Sequence, residues 1–148
     1  MIKKLLLICL LFIFQVSATY PQEAKKVGKV TGLEIPRFVS LKKSKTFLRR
    51  GPDKSYKIDW ILERNNYPLK VIAEHEHWRQ VIDFQGDEGW VYFRLLSGKR
   101  TIIISQDEIF LRKSSKKNSN PIGILTYGVI GELIDKKGNY CNAKFQNL

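Results

Sequence analysis

Aromatic side chains are the residues of this sequence best suited to holding a ligand. Flat rings give a large contact area at low entropic cost, and they stack on peptides, sugars or proline-rich segments. We expect at least partial exposure of one of them, Trp90, because it alternates with Val91 on a predicted strand and Val91 should point inward. For Trp78 a position in the core is favoured over binding, since a small domain needs a large residue inside. The aromatic candidates for binding are Tyr56, Trp60, Trp78, Trp90 and Tyr92.

Basic side chains are concentrated in one stretch that could hold a negatively charged ligand. Residues 42–57 contain one acid, Asp53, and seven basic residues: Lys42, Lys43, Lys45, Arg49, Arg50, Lys54 and Lys57. Such a loop could bind an anionic polymer or phosphate through charge-assisted hydrogen bonds. A charged hairpin that only faces solvent is the more common cause of such a pattern. Arg49 and Arg50 are the two basic residues that we include among the candidate ligand-binding residues.

The His75-Glu76-His77 segment resembles a metal site at first sight. Residues two apart on a strand share a face, so both imidazoles could reach one ion. No third ligand stands nearby beyond ordinary glutamates such as Glu74. The segment also falls where a hairpin turn is expected. We therefore predict a solvent-exposed turn and neither a metal nor a cofactor.

The sequence also lacks the patterns of a catalytic site. Cys141 has no histidine in its half of the chain, and we expect it to be a small buried apolar residue. No nucleophile elbow, zincin helix or phosphate loop is present. Glu74 and Glu76 could pair as acid and base, but a turn on a small β-domain offers no deep dry pocket to shift their pKa values. We predict a protein that is not an enzyme.

The first 18 of the 148 residues differ from the rest. Lys3 and Lys4 precede an apolar run over residues 5–14, and small side chains follow up to Ala18. This order is typical of a secretory signal peptide. The run is shorter than the roughly 20 residues of a membrane span. We predict cleavage after Ala18, no transmembrane span in the mature chain, and a periplasmic or secreted protein; retention of the segment as an N-terminal anchor is the alternative.

The chain is strongly basic, with a formal net charge of +12 that becomes +10 when residues 1–18 are removed. Positive charge on this scale attracts anionic partners over long distances and is screened by salt. Wall polymers with phosphate groups, lipid headgroups and nucleic acid all have the required charge. A role of the charge in solubility alone explains it equally well. We do not expect nucleic acid as the partner of an exported protein.

After a polar leader, predicted to be flexible over residues 19–35, the apolar residues come in short runs typical of strands. Leu69, Val71 and Ala73 alternate with Lys70, so the first three should face a core. Trp78 and Val81 both suit a core at a spacing of three, which requires a bulge. The predicted strands cover residues 38–41, 46–49, 60–63, 69–73, 78–84 and 90–92.

The chain also repeats itself. Residues 47–50 (Phe-Leu-Arg-Arg) match residues 110–113 (Phe-Leu-Arg-Lys) at an offset of 63, and Ile61-Leu62 matches Ile124-Leu125. Trp78 matches Tyr140 at an offset of 62, which indicates a one-residue deletion. The second copy has no counterpart of Trp90. We predict two units, residues 36–98 and 101–148, of which the second lacks its last strand.

The ordered run of Phe47-Leu48-Arg49-Arg50-Gly51-Pro52, Trp78-Arg79-Gln80-Val81 and Gly89-Trp90-Val91 resembles the bacterial SH3-like domain. The resemblance covers residues 36–98 well and residues 101–148 partially. In the second copy Ser114-Ser115 replaces Gly51-Pro52, which puts its first turn in doubt.

The resemblance implies an all-β chain of two tandem small SH3-like β-barrels, the second without its last strand, and a short helical turn after Trp90. Members of this family are commonly exported, non-catalytic binding modules for cell-wall peptides or proteins. We expect a binding protein for a wall peptide or an envelope protein, with an anionic polymer as a further possible ligand. The alternative is a structural or regulatory subunit whose open second copy is completed by a strand from a partner protein.

Overall fold

A computed structural model describes residues 26–116 and 118–145, so the predicted signal peptide lies outside the described residues. Within them the chain is almost entirely β, with a 3-10 helix at Phe93–Leu95 and no α-helix. The strands are β1 (Arg37–Leu41), β2 (Thr46–Arg49), β3 (Ile58–Leu62), β4 (Pro68–His75), β5 (Trp78–Ile82), β6 (Glu88–Tyr92), β7 (Leu96–Ser97), β8 (Thr101–Ile103), β9 (Glu108–Arg112), β10 (Pro121–Thr126), β11 (Ile130–Lys137) and β12 (Tyr140–Phe145).

Seven strands form one antiparallel sheet in the order β3-β2-β6-β5-β4-β1-β7. The two outer strands do not pair with each other, so the sheet is open, and the closed barrel expected for residues 36–98 is not formed. The last strand of the sheet, β7, has two residues and pairs only with β1. No pairing joins it to β3 at the opposite edge of the sheet.

The core of this sheet follows the alternation read from the sequence. Leu69, Val71 and Val91 are buried in one cluster, as predicted. Ala73, the third residue expected on this face, is half-buried. The other buried members of the cluster are Ile35, Val39, Leu41, Leu48, Tyr67, Val81 and Leu96. Burial of each large aliphatic side chain contributes roughly 1.5–3 kcal/mol, so this cluster supplies most of the driving force for folding.

Trp78 is buried, with 8% of its surface exposed, but it lies outside this cluster. The bulge expected in β5 lies in β4 instead. Val71 pairs with Val81, and Ala73, two residues further along β4, pairs with Gln80, which is only one residue away on β5. β5 therefore alternates regularly, and Trp78 occupies the face opposite to that of Val81. Its cross-strand neighbour on that outer face is Tyr92.

The remaining strands form two small sheets, a β9–β10 hairpin and a three-stranded sheet in the order β12-β11-β8. Ile103 and Ile130 pack against the core of the large sheet. The Thr101 hydroxyl donates a hydrogen bond of 2.7 Å to the carbonyl oxygen of Asn66. Residues after 100 are thus docked on the large sheet by both apolar and polar contacts.

The prediction that Cys141 is buried is wrong, because its side chain is exposed on β12. β12 is an edge strand, and no described residue pairs with its outer edge. No neighbouring strand among the described residues therefore covers Cys141 from that side. The error arose because a small apolar residue on a strand was assigned to a core that this half of the chain does not complete.

Within the predicted leader, the described residues 26–35 turn back onto the sheet through the carboxylate of Glu74. This carboxylate is fully buried, and it accepts hydrogen bonds from the backbone of Val30 (3.0 Å) and from the backbone and hydroxyl of Thr31 (2.9 and 2.7 Å). Arg37 donates to it at 2.6 Å, and Arg79 lies 3.4 Å from it. One buried anion thus joins the N-terminal turn, β1, β4 and β5.

The charge of Glu74 is stabilised by these partners. Burial alone would raise the pKa of Glu74, but the hydrogen bonds from Thr31, Arg37 and Val30 outweigh it and lower the pKa from 4.5 to about 2. A carboxylate with a lowered pKa stabilises the fold fully above its unfolded pKa and ceases to do so as the pH falls through its folded pKa. The shift corresponds to on the order of 3 kcal/mol.

We predict that Glu74→Gln lowers the free energy of unfolding at pH 7 and removes the part of the acid sensitivity that falls between about pH 4.5 and pH 2. Urea unfolding at several pH values measures both effects. Glu76→Gln is the matched control, because Glu76 is exposed in the adjacent turn. An unchanged pH profile for Glu74→Gln would contradict this account.

Candidate functional site

An open groove of about 510 Å³ lies on the outer face of the large sheet. Its walls are the loop after β2 and the turn between β4 and β5, and its floor comes from β2, β5 and β6. The lining residues are Phe47, Arg49, Asp53, Lys54, His77, Trp78, Tyr92 and Leu95. The groove combines aromatic rings with both signs of charge.

The aromatic floor is built from the start of β5 and the end of β6. Trp78 and Tyr92 are cross-strand partners, and their rings meet edge to face at 5.7 Å. The ring of His77 lies 6.1 Å from that of Tyr92 and stacks on Phe93 at 5.8 Å and 28°. Rings that hold each other in this way are preorganised for stacking on a ligand, because little side-chain freedom remains to be lost.

The charged wall is the loop over residues 50–57. Arg49 donates a hydrogen bond of 2.8 Å from Nη1 to the carbonyl oxygen of Tyr56, which ties the loop to β2. The backbone N–H of Ser55 donates at 2.8 Å to Asp53, and this bond lowers the pKa of the Asp53 carboxyl. Lys54 is exposed between these contacts. Arg49 and Lys54 thus place two positive charges beside the aromatic floor, with Asp53 as the negative one.

A close approach of Gly51 and Tyr56 sets the shape of this loop. A Cβ added at Gly51 would lie 2.6 Å from the Tyr56 ring, so only glycine allows the ring to cover the backbone there. The backbone of Arg50 also donates at 3.0 Å to the carbonyl oxygen of Lys57, which closes the loop at its base. The loop is therefore held from both ends.

The structure brings three of the predicted site residues into the groove, namely Arg49, Trp78 and Tyr92. Arg50 does not line the groove but forms a two-point contact with Asp59 at 2.8 and 3.2 Å, and this contact lowers the pKa of Asp59. The arginine pair predicted as one basic site is therefore divided between two surfaces.

The other three aromatic candidates do not line the groove either. Trp60 is 48% exposed on β3 and pairs with Leu48 at the edge of the sheet. Tyr56 is equally exposed and covers Gly51. Trp90 is half-buried, in line with the alternation of β6, and its ring lies 6.5 Å from that of His75.

The sequence did not identify four of the groove residues as binding groups, namely Phe47, Asp53, His77 and Leu95. Lys54 was named there only as part of the basic stretch over residues 42–57. A signal existed for Phe47, because it lies two residues before Arg49 on a predicted strand and therefore shares its face. His77 had been assigned to an exposed turn, and it is exposed in that turn, but its ring also forms part of the aromatic wall.

The two histidines do not form a metal site. His75 faces Trp90, whereas His77 stacks on Phe93, so different aromatic residues hold the two rings. Across residues 26–116 and 118–145, no group of three or more His, Cys, Asp or Glu side chains is placed to hold a metal ion.

Residues 42–98 match the family model described as the bacterial SH3 domain. The match includes the groove and supports an SH3-like family for this part of the chain. SH3 domains are generally binding modules and are typically non-catalytic. No curated protein sequence matches the chain. In the part of the chain that the structure describes, no helix has the length and apolarity needed to span a membrane.

We predict that Gly51→Ala loosens the 50–57 loop, because its Cβ would displace the Tyr56 ring. Amide hydrogen exchange at Arg50, whose N–H donates to the carbonyl oxygen of Lys57, should accelerate, with a loss of unfolding free energy of about 1–3 kcal/mol. Gly98→Ala is the control, since a Cβ there meets no atom within 4 Å. Equal exchange in both variants would contradict a loop shaped by this contact.

Proposed function

We propose that this protein is an exported, non-catalytic binding protein that holds a peptide segment of the cell envelope in the groove of its large sheet. The ligand belongs to a wall peptide or to an envelope protein. The observation that carries the proposal is the juxtaposition of the Trp78–Tyr92 aromatic floor with the side chains of Arg49 and Lys54 in one groove.

The groove suits a short extended peptide with both apolar and charged groups. Methyl or methylene groups of the ligand would pack on Tyr92 and Phe47, while the largely buried Trp78 holds the Tyr92 ring in place. A ligand carboxylate would accept charge-assisted hydrogen bonds from Arg49 or Lys54. Peptides of the bacterial wall carry carboxylates and amines along a short chain, and Asp53 offers a partner for an amine.

The location in the envelope rests on the predicted signal peptide over residues 1–18. The positive charge of the chain supports the same environment, because phosphate-bearing wall polymers and acidic headgroups concentrate cations near the cell surface. An anionic polymer bound along the basic residues 42–57 is a second candidate ligand, favoured by the exposed lysines of that stretch. Its affinity would fall steeply with salt, because each contact releases a counterion.

Two adjacent arginines give a matched test of the groove. We predict that Arg49→Gln weakens retention on purified peptidoglycan by roughly tenfold or more, since a hydrogen bond to a charged group contributes about 1.5–3 kcal/mol. Arg50→Gln should leave retention unchanged, because Arg50 pairs with Asp59 outside the groove lining. Co-sedimentation at low salt measures both variants.

Three results would separate the candidates. Absence of retention of the wild-type chain at low salt would remove the wall peptide as ligand. Equal losses for Arg49→Gln and Arg50→Gln, together with a steep salt dependence, would favour the anionic polymer. Clearing of wall substrate in a zymogram would contradict the non-catalytic assignment.

A further inference from the structure

The backbone pairing of the β9–β10 hairpin repeats that of β2–β3. Phe47 pairs with Ile61, and Phe110 pairs with Ile124, 63 residues further along the chain. Both hairpins have a register shift at the corresponding place, next to Arg49 in β2 and next to Arg112 in β9. The two hairpins therefore share one pattern of paired residues, shifted by 63 positions along the chain.

The β8, β11 and β12 sheet repeats β1, β4 and β5 in the same way. His75 pairs with Trp78, and Lys137 pairs with Tyr140, 62 residues later. The left-handed residues recur as well: Asn66 (φ 59°) corresponds to Gly128 (φ 80°), and Glu76 (φ 43°) corresponds to Gly138 (φ 54°). The path of the backbone after residue 100 thus follows that of the first five strands turn by turn.

One strand of the first pattern has no counterpart among the described residues. In the large sheet β6 lies between β2 and β5 and pairs with both. The corresponding edges of β9 and β12 have no pairing partner in the described part of the chain. The effect is visible in the side chains: Leu48 is fully buried, whereas the corresponding Leu111 is half-buried and Cys141 is exposed.

We infer that the free edges of β9 and β12 form a slot for a strand from another polypeptide, which lies antiparallel to β12 in the position that β6 has in the large sheet. Main-chain hydrogen bonds to an exposed strand edge give such a contact its affinity, and side-chain pockets give it specificity. Each residue of β6 therefore predicts the type of residue that the occupant has at the corresponding position.

The second position of the incoming strand must be glycine. A Cβ added at Gly89 would lie 2.8 Å from the Cβ of Leu48 and 3.3 Å from the carbonyl oxygen of Arg49. Leu111 and Arg112 occupy the corresponding places on β9. Any larger residue would separate the incoming strand from β9 and break one side of the slot.

The positions around this glycine are set by charge and volume. Glu88 of β6 lies opposite Ile82, whose counterpart on β12 is Lys144, so an acidic residue at the first position gains an opposite charge. Val91 of β6 is fully buried opposite Arg79, whose counterpart is the small Cys141. An aliphatic residue at the fourth position would cover Cys141 and Leu111.

The occupant is therefore a strand with an acidic residue at its first position, glycine at its second and an aliphatic residue at its fourth. Residues 1–25, 117 and 146–148, which lie outside the described ranges, contain no glycine. None of these segments can supply the second position.

The direct test uses a synthetic peptide with the sequence of residues 86–97, which contains β6, added to the full chain. We expect the alkylation rate of Cys141 to fall about tenfold or more at saturating peptide, because the fourth residue covers the thiol. Peptide mapping by mass spectrometry separates Cys141 from Cys9. Amide hydrogen exchange should slow in β12 and β9. A peptide with Gly89→Val should have no effect.

Further arms distinguish occupation of this slot from binding elsewhere on the chain. Lys144→Glu should weaken binding of the peptide several-fold, whereas Arg49→Gln in the groove should leave it unchanged. The proposals for the slot and for the groove can therefore be contradicted independently. An unchanged Cys141 rate, or equal protection by the Gly89→Val peptide, would overturn the inference. Protection confined to β5 would mean exchange with β6 and would also overturn it. A last variant carries residues 86–97 fused after Leu148. If Cys141 is protected in this variant but not by the free peptide, the occupant is supplied by the same chain, and a strand from a separate polypeptide is ruled out.

Discussion

The position of β6 is the constraint on which the rest of the large sheet depends. This strand alone connects the β2–β3 hairpin to the strands around β4 and β5, and it pairs with β5 over its full length. The connection to β2 requires Gly89, whose missing side chain leaves room for Leu48. With that contact in place, Val91 completes the core on one face and Tyr92 completes the groove on the other. Core and binding surface are thus two faces of one strand.

The turn that leads into β6 is set by a buried carboxylate. Asp83 accepts hydrogen bonds from the backbone N–H groups of Gln85, Gly86 and Asp87 at 2.8–3.0 Å. The hydroxyl of Tyr67 donates to its second oxygen at 3.0 Å. Burial of Tyr67, together with this hydrogen bond, raises the pKa of its hydroxyl. Since buried polar groups are costly when unpaired, the four bonds fix the turn in one shape, and the shape determines where β6 begins.

Local patterns predicted much of the large sheet and less of the site. The strand Thr46–Arg49 has the predicted bounds, and β6 differs only at its start, because these segments alternate strictly between inward and outward residues. Trp78 was assigned to the core because the bulge in β4 leaves no mark in the sequence of β5. Membership of the groove depends on β2 lying beside β6, a contact between residues about 40 positions apart. Alternation separates the neighbouring Arg49 and Arg50, but the local sequence does not show that Arg49 faces a groove or that Arg50 pairs with Asp59.

The second half of the chain presents the opposite situation. Its matches to the first half are visible in the sequence, whereas the free edge of β12 is visible only in the structure. A two-stranded hairpin such as β9–β10 is marginal by itself. Here the neighbouring strands are docked on the large sheet through Ile103 and Ile130, and Arg64 donates a hydrogen bond of 2.6 Å to the carbonyl oxygen of Gly128. The edge of β12 is therefore supported before any strand arrives, so a partner would not have to provide the energy of folding this half. Lys144 on the free edge of β12 carries a positive charge that would attract an acidic strand.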